Sequence, residues 1–394
     1  MMQSEMVDVL IIGAGPAGIS TALHLVQMDA GWAARMLVLD KAVHPREKLC
    51  GGGVTQTGLA ILDALGLDFP AQHVPIRELR FQFGKIVHAI YGDPVFRVMH
   101  RAAFDHWLVR EAESRGVSVR QGVAVTDVQP TGDFVQVVTE RGTIRAKTVV
   151  IADGSTSFVR RKLGWAHTAE HPPLARLLEV ISPEPTDHPL FAGGIAVFDF
   201  SVQREGVQGY VWDFPSLRHG QTMMNRGVFD SRVRAERPRA PLKTALTQAF
   251  SVRQRTLATE TIHGHPIRWF DAGGNLARPR MLLAGDAAGV DPFVGEGISF
   301  ALGYGQVAAQ AIAAAFARGD FSFSDYGRRV LADPLLSQLP QRVKLARILY
   351  RIKAPRLLAM VWYLFPLIVR FYRLVNRNIA PFSAAKMRRV KPLW

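Results

Sequence analysis

The chain of 394 residues contains a single cysteine, Cys50. One thiol cannot form an internal disulfide bond, and it cannot hold an iron–sulfur cluster or a cysteine-rich zinc site. The N-terminus lacks a cationic segment followed by a long apolar run, so we expect no signal peptide. These absences predict a protein of a reducing, cytoplasmic compartment with no bound metal.

Acidic residues are missing from positions 340–394, which hold 13 Lys and Arg residues. The whole chain has 48 basic and 33 acidic residues, a formal net charge of +15. Residues 1–339 contain 35 basic and 33 acidic residues, which gives a net charge of +2. The positive charge therefore belongs to the C-terminal region, and no basic patch or motif elsewhere indicates nucleic-acid binding.

The same region lacks an apolar run long enough to cross a membrane. Residues 357–369 are 13 uncharged residues between Arg356 and Arg370, whereas a spanning helix needs about 20. Pro366 would also kink such a helix. Aromatic side chains with flanking cations are typical of a helix that lies among lipid headgroups. We expect residues 340–394 to contact the inner face of a membrane peripherally; the alternative is a soluble helical cap that packs on the FAD domain and has a solvated basic face.

A glycine-rich turn stands near the start of the chain. Val7–Ile12 is apolar and β-branched, as in a strand buried on both faces, and Gly13–Gly18 follows directly. Ile19–Met28 predicts a helix, and Met36–Leu39 predicts a second strand that ends at Asp40. In such a βαβ unit the pyrophosphate of a dinucleotide lies on the helix N-terminus, and the acidic residue binds an unphosphorylated ribose, as in NAD or FAD. The predicted contacts are Gly13, Gly15, Ala17, Gly18 and Asp40.

Two later segments narrow the choice to FAD. Val149–Gly154 predicts a strand that runs into an Ala-Asp-Gly turn, and Met281–Ala288 predicts a strand that ends in Gly-Asp-Ala-Ala. With the first glycines, these segments resemble the FAD-dependent oxidoreductases of the p-hydroxybenzoate hydroxylase fold, over residues 7 to about 310. The resemblance implies an α/β fold: a Rossmann-type FAD-binding domain, an antiparallel-sheet substrate domain and a C-terminal helical segment.

The strand and turn patterns divide the chain between these parts. The FAD-binding domain is predicted over 1–75, 99–170 and 273–330, the substrate domain over 76–98 and 171–272, and a basic helical region over 331–394. Alternating apolar stretches between Leu177 and Ile267 predict an antiparallel sheet over the flavin face. A second glycine-rich βαβ pattern is lacking, so a nicotinamide donor would bind only transiently.

The resemblance also implies further contacts with FAD. It places Asp40 on the adenosine ribose, Ala124 near the adenine, Arg101 beside the cofactor and Asp286 on the ribityl chain. A Pro- and Gly-rich turn precedes a predicted helix from about Ile298 to Ala317, whose free N–H groups would face the N1/C2-carbonyl edge of the flavin. The expected set is completed by Lys41, Arg46, Lys48, Asp153, Gly295, Gly297 and Ile298.

The segment from His44 to Gly53 resembles the Pro-Arg-x-Lys-x-Cys-Gly-Gly-Gly segment of the geranylgeranyl reductase family. Its last three glycines, Gly51, Gly52 and Gly53, would let the backbone lie close to an isoalloxazine ring. Cys50 stands among cations and glycines, which predicts a place at the active site; for a lone cysteine, burial in the core is the alternative.

Tyr210, Trp212 and Phe214 alternate along the chain before Pro215. They are similar to the Tyr-x-Trp-x-Phe-Pro motif that lines the substrate cavity of the same reductases, although Val207 stands where the family has proline. On a strand the three rings would share one face and form an aromatic wall suited to an apolar chain, or they would simply be core.

The resemblance implies an FAD-dependent reductase of isoprenoid carbon–carbon double bonds. NADPH or ferredoxin would supply electrons, and a prenylated lipid or a prenyl diphosphate would be the substrate. Flavin would deliver a hydride to one carbon, and Cys50 or an ordered water would bring a proton to the other. Three alternatives remain open: a monooxygenase or halogenase acting on a hydrophobic substrate, a quinone-reducing electron-transfer flavoprotein, which would need an iron–sulfur module, and a non-catalytic flavin-binding protein.

Overall fold

A computed structural model describes residues 5–70, 72–165, 174–375 and 387–392. Its strands are β1 (Glu5–Ile12), β2 (Met36–Asp40), β3 (Gly53–Thr55), β4 (Val74–Phe83), β5 (Ile86–Val98), β6 (Ser118–Gln121), β7 (Val125–Pro130), β8 (Val135–Thr139), β9 (Gly142–Ile151), β10 (Leu174–Pro183), β11 (Ile195–Asp199), β12 (Gly209–Arg218), β13 (Gln221–Asp230), β14 (His263–Arg268), β15 (Ala277–Arg278), β16 (Met281–Leu283) and β17 (Met387–Arg389). Its helices are α1 (Pro16–Met28), α2 (Gln56–Ala64), α3 (Arg101–Ser114), α4 (Phe158–Lys162), α5 (Pro189–Ala192), α6 (Leu242–Val252), α7 (Ile298–Arg318), α8 (Tyr326–Ala332), α9 (Leu339–Leu349), α10 (Pro355–Tyr363) and α11 (Phe365–Val375).

The first sheet carries the predicted βαβ unit. Its strands run in the order β15-β16-β9-β1-β2-β6, and β7 and β8 extend it from β9. The central strand β1 pairs in parallel with β2 and β9, and its residues 9–12 are buried, which explains why they are apolar without alternation. Helix α1 begins at Pro16, three residues before the predicted start, because proline fits the first helical position, where no N–H partner is needed.

Helix α7 packs tightly against α1. The hydroxyl of Ser20 donates to the carbonyl of Leu302 at 2.7 Å, and a Cβ on Gly305 would stand 2.5 Å from the Cβ of Ser20. In the part of the chain that the structure describes, α7 is the one helix long and apolar enough to cross a membrane, and most of it is buried inside the protein. This helix ends within one residue of the end predicted from the sequence.

The second sheet has nine strands, in the order β14-β10-β13-β12-β11-β4-β5-β17, with β3 on β5. Its pairs are antiparallel as predicted, except that β4 and β11 are parallel. The sheet is built from two separate segments of the chain, one with β3–β5 and one with β10–β14. The parallel pair of β4 and β11 joins these two segments. Strand β3 and the start of β4 join this sheet although they precede the predicted boundary at 75/76. The boundary at 170/171 lies outside the described residues.

The C-terminal region is helical up to Val375, and Pro366 stands near the start of α11, where the chain breaks between two helices as predicted. Trp362 at the end of α10 is buried, and its ring lies 6.0 Å from that of Phe83 on the second sheet. Met387–Arg389 forms a strand, β17, that pairs with β5 and that the sequence did not predict. The region therefore packs on the second sheet, and residues 376–386 of the predicted membrane contact lie outside the described residues.

Candidate active site

A cavity of about 840 Å³ is bordered by residues of both sheets. One part lies at the turns that follow β1, β2 and β9, and another lies over β12 and β13. The predicted site residues that line it are Gly13, Gly15, Ala17, Asp40, Lys41, Arg46, Lys48, Cys50, Gly51, Gly52, Gly53, Arg101, Ala124, Asp153, Tyr210, Trp212, Phe214, Asp286, Gly295, Gly297 and Ile298. Gly18 is the one predicted residue that does not line the cavity. Segments that are distant in sequence therefore meet in one place.

The three glycines before and within α1 differ in what they do. Gly13 has φ +111°, and a Cβ there would stand 2.3 Å from the carbonyl oxygen of Ala152. A Cβ on Gly18 would stand 1.9 Å from the carbonyl oxygen of Gly13, so this glycine allows close packing of helix and turn. A Cβ on Gly15 would meet only the Arg46 guanidinium, at 3.8 Å. Gly15 therefore opens the helix N-terminus to the cavity, which fits a pyrophosphate.

Asp40 ends β2 beside this turn. One carboxylate oxygen accepts from the backbone N–H of Ala14 and the other from that of Ala42, each at 2.8 Å. These two bonds fix the carboxylate while leaving lone pairs for further donors. This geometry fits the hydroxyl pair of an adenosine ribose.

Two guanidinium groups share one carboxylate at the cavity wall. Arg101 forms a two-pronged ion pair with Asp105, at 2.9 and 2.8 Å, and Arg46 lies 3.2 Å from the same carboxylate. Burial opposes the charge of Arg101, but Asp105 and Cys50 outweigh it and raise the pKa of Arg101. The wall thus keeps an excess positive charge, which suits a phosphate-bearing cofactor.

The glycine run after Cys50 is held between the β5–α3 connection and β12. Gly52 has φ +76°, and a Cβ there would stand 2.0 Å from the carbonyl oxygen of Met99. A Cβ on Gly51 would lie 3.0 Å from the ring of Phe214. The N–H of Gly52 faces the sulfur of Cys50 at 3.4 Å. The backbone here fits closely under the aromatic strand, and Cys50 is half-buried at the cavity.

A lysine and a histidine meet at the cavity wall. The ammonium group of Lys48 contacts Nε2 of His265. Burial lowers the pKa of Lys48, and burial together with Lys48 lowers the pKa of His265 to about 4, so this imidazole is neutral at pH 7. Nearby, Ser155 donates to Asp286 at 2.8 Å. Lys48, His265, Ser155 and Asp286 therefore present polar groups to the part of the cavity where a ribityl chain is expected.

Tyr210, Trp212 and Phe214 lie on the cavity side of β12, as their alternation predicted. Hydrogen bonds hold two of them: the hydroxyl of Tyr210 donates to the carbonyl of Val294, and the indole N–H of Trp212 donates to the side chain of Asn225 at 2.7 Å. All three are also buried. These three rings therefore form a wall of the cavity and are at the same time part of the hydrophobic core.

The cavity continues past these rings into an apolar arm. The ring of Phe198 lies 4.7 Å from Tyr210 and 5.1 Å from Phe214 and extends the wall. The apolar residues farther along the arm are Leu79, Phe81, Ile90, Val95, Phe96, Phe365, Ile368, Val369 and Met387. The last four belong to α11 and β17, so the C-terminal region forms one end of the cavity.

The turn before α7 is fixed by an ion-pair network. Arg342 of α9 lies 2.8 Å from both Asp291 and Glu296, and Glu296 also accepts from the hydroxyl of Thr55 at 2.8 Å. Gly297 precedes the first helical residue and lines the cavity. The N-terminus of α7 is therefore held toward the cavity, in a place that fits the electron-rich edge of a flavin.

Asp153 stands two residues after β9, in the predicted Asp-Gly turn. One of its oxygens accepts from the N–H of Val159 at 3.1 Å, while the other is buried without a hydrogen-bond partner among the described residues. Burial raises the pKa of Asp153. A buried polar atom of this kind at a cavity wall is consistent with a ligand that completes the site.

The sequence did not indicate that His265, Asn225 and Arg342 belong to the site. It also did not indicate that the C-terminal region forms one end of the apolar arm. None of them stands in a glycine-rich or aromatic motif. Only the strand register and the packing of α9 and α11 bring them to the cavity.

A glycine turn that fits a dinucleotide and an aromatic wall share one cavity, an arrangement that suits a flavin-dependent oxidoreductase. A family model described as an FAD binding domain matches residues 6–320, and the chain belongs to this family. The proteins similar to this chain include ones named as geranylgeranyl reductases, the family that the resemblance indicated.

Three of the similar proteins are named as reductases or as reductase-like. The chain is 29% identical over 331 residues to menaquinone reductase of Mycobacterium tuberculosis, with 79% of this chain and 77% of that protein covered. It is 26% identical to digeranylgeranylglycerophospholipid reductase 3 of Methanosphaera stadtmanae, over 82% and 81%. A geranylgeranyl bacteriochlorophyll reductase-like structure from Thermoplasma acidophilum has a TM-score of 0.76 at 21% identity, over 92% and 91%.

The fold is also found in enzymes of another class. The p-nitrophenol 4-monooxygenase of Pseudomonas putida has a TM-score of 0.69 at 19% identity, over 95% of this chain and 98% of that one. The fold therefore defines an FAD-dependent oxidoreductase without deciding between reduction and oxygenation.

Proposed function

We propose that the protein reduces carbon–carbon double bonds in an isoprenoid chain, with hydride supplied by reduced FAD. The observation that carries this proposal is the apolar arm, which leads from the Cys50 loop past Tyr210 and Phe198 to α11. An arm without charged lining fits a hydrocarbon chain. The electron donor would be NADPH or ferredoxin.

The chain's own residues would bind and position the two reactants. The cations and the N-termini of α1 and α7 would hold the cofactor, while Trp212 and its neighbours would exclude water and align the substrate. A proton for the second carbon would come from Cys50, which lies at the cavity beside the glycine run. Bound FAD would supply the redox chemistry.

The activities for which the relatives are named support a substrate with a long chain. Menaquinones and geranylgeranyl lipids have different head groups but share polyprenyl chains. Recognition of the chain by an apolar arm accounts for relatedness to both kinds of reductase. We therefore propose a prenylated lipid or a prenyl diphosphate as the substrate class.

The experiment compares reduction with oxygenation. Enzyme reduced under anaerobic conditions is mixed with a panel of prenylated lipids and prenyl diphosphates, and the products are weighed by mass spectrometry. We expect products that have gained two hydrogen atoms per reduced bond, without any need for oxygen. A product that gains oxygen, or a halogen, would assign the protein to the monooxygenases or halogenases instead.

We further propose that α10 and α11 rest on the cytoplasmic face of a membrane that contains anionic lipids. Their outer side exposes the apolar residues Leu357, Met360, Tyr363, Leu364, Leu367 and Ile368. The guanidinium of Arg389 lies over the ring of Tyr363 at 5.0 Å, and the region from 340 onward has no acidic residue. The complement of such a surface is an apolar layer with negative headgroups. Because α11 also lines the cavity, a lipid chain could pass from the membrane into the arm.

Two acidic substitutions on this surface test the membrane contact. The double variant Met360→Asp with Leu367→Asp changes side chains that are 52% and 62% exposed, so the fold should be retained. We expect at least a tenfold loss of co-sedimentation with phosphatidylglycerol vesicles, because burial of each apolar side chain contributes about 1.5–3 kcal/mol.

The matched control is Leu331→Asp on α8, where the leucine is 44% exposed. It should bind vesicles like the unaltered protein. Equal binding by the double variant would rule out the membrane contact. Deletion of the whole region is a poorer test, because it would also remove buried Trp362.

A further inference from the structure

A buried carboxyl group to which the proposed reaction assigns no role lies behind the Trp212 part of the cavity wall. Glu179, in the middle of β10, is 1% exposed. One oxygen accepts from the amide of Asn225 at 3.1 Å, and the backbone N–H of Cys50 also acts on this carboxyl group. Burial of a carboxyl group is costly, so its position calls for an explanation.

The register of the second sheet places Glu179 beside Trp212. Glu179 pairs with Gly227 on β13, and Gly227 pairs with Trp212 on β12. Residues that are directly opposite in antiparallel strands point to the same face. A Cβ on Gly227 would stand 2.2 Å from the indole ring of Trp212. The glycine therefore lets this ring lie across β13, on the same face of the sheet as Glu179.

One amide joins Glu179 to both motifs that indicated a reductase. The side-chain N–H₂ of Asn225 donates to Glu179 and also to the carbonyl oxygen of Cys50, at 3.0 Å. Its oxygen accepts from the indole of Trp212 at 2.7 Å. A change of charge on Glu179 therefore acts directly on the groups that hold Cys50 and Trp212.

Burial raises the pKa of Glu179 to about 7, against the opposing effects of the Asn225 amide and the Cys50 N–H. Because the pKa is raised, the carboxyl is largely neutral below pH 7 and largely charged above it. The charged or titratable groups that surround it are Lys48 and Cys50 of the glycine loop, Arg101 of α3, and His263 and His265 of β14. His265 is neutral at pH 7, and His263 is exposed to solvent.

We propose that Glu179 is a positioning residue whose negative charge offsets Arg101 and Lys48 and so keeps the thiol of Cys50 protonated. Cations close to a cysteine favour the thiolate, whereas a nearby carboxylate disfavours it. A thiol can give a proton to a carbon, and a thiolate cannot.

The role in turnover rests on the proposed reductase function. In that reaction a hydride from reduced FAD forms a C–H bond with one alkene carbon. The proton of the Cys50 S–H forms the C–H bond with the other, and the S–H bond breaks. The resulting thiolate then regains a proton from water. Each reduced bond thus consumes one hydride and one proton, and Glu179 itself is unchanged.

Alkylation of the only cysteine measures this effect without a substrate. The FAD-bound protein is treated with iodoacetamide between pH 6 and 9, and the rate at Cys50 is followed by mass spectrometry. We expect Glu179→Gln to alkylate about five- to tenfold faster at pH 7.5, because a charge pair in a partly buried site is worth about 1–2 kcal/mol. The Glu179→Asp variant keeps the charge and should stay close to the unaltered protein.

The control is Glu47→Gln, which removes the same charge from a side chain that is 62% exposed and three residues from Cys50. It should change the rate less than twofold. An unchanged rate in Glu179→Gln, or an equal rise in Glu47→Gln, would overturn the proposal.

If Glu179→Gln does not retain FAD, the pH dependence of Cys50 alkylation in the unaltered protein tests the proposal instead. Its pH profile should show an inflection near pH 7 besides that of the thiol, and a single inflection would overturn the proposal. The alkylation experiment uses no prenyl substrate. A negative result in it would therefore not contradict the proposed reductase function, and a negative reductase assay would not contradict the effect of Glu179 on Cys50.

Discussion

Replacement of Gly15 by alanine is expected to leave the protein folded and to weaken FAD binding by at least about 100-fold. Gly15 has φ −79°, which any residue can adopt, and its added Cβ would meet nothing in the chain closer than 3.8 Å. The methyl group would instead stand at the N-terminus of α1, where the pyrophosphate must approach the backbone. A loss of about 3 kcal/mol corresponds to this change in affinity.

The measurement is the dissociation constant of FAD, obtained by fluorescence titration of protein freed of flavin. The control is Gly132→Ala, because a Cβ there meets no atom within 4 Å and Gly132 is outside the cavity lining. It should bind FAD normally. Gly13→Ala is a poor probe, since φ +111° and a 2.3 Å contact would strain the fold itself. Normal affinity in Gly15→Ala would show that the cofactor does not use this turn.

Replacement of Asp105 by asparagine is expected to lower the free energy of unfolding by about 3–5 kcal/mol, because one partner of a buried ion pair is removed. Asp105 is fully buried, Arg101 is 8% exposed, and Arg46 also lies at this carboxylate. Asparagine would leave two guanidinium groups close together without a counter-charge. We also expect weaker retention of FAD, since Arg101 lines the cavity.

Urea unfolding at one saturating FAD concentration measures the change for each variant, since bound ligand itself adds stability. The control on the same helix is Glu113→Gln, which breaks the exposed pair between Glu113 and Arg110. Its effect should stay below about 1 kcal/mol. A change of similar size in both variants would contradict the role given to Asp105.

Local sequence patterns were sufficient to predict those parts of the site that are formed by one short segment of the chain. The glycine turn, the acidic end of β2 and the alternating rings of β12 could be predicted because spacing along one strand or turn fixes their geometry. The Cys50 loop and β12 were each recognised, but their contact through Asn225 was not. That contact depends on how four strands align, and no short motif encodes a register across β14, β10, β13 and β12.

The C-terminal region shows a second limit of sequence patterns. Its apolar run and its charge predicted a surface helix, and α10 and α11 do expose an apolar side. The sequence did not indicate that Phe365 and Val369 turn inward to line the cavity. Nor did it indicate that Met387–Arg389 adds a strand to the second sheet. Both depend on tertiary packing, which outweighs local propensity.

The most direct test of the account is anaerobic reoxidation of the reduced flavin by a prenylated lipid. The enzyme is reduced with dithionite, mixed without oxygen with a geranylgeranyl lipid, whose head group is not an oxidant, in phosphatidylglycerol vesicles, and followed by flavin absorbance. We predict that the oxidised spectrum returns only with the prenylated lipid, and that the lipid's prenyl chain gains two hydrogen atoms for each flavin reoxidised. A flavin that stays reduced with every prenylated lipid, but reoxidises in air while oxygen enters the product, would contradict the proposed function.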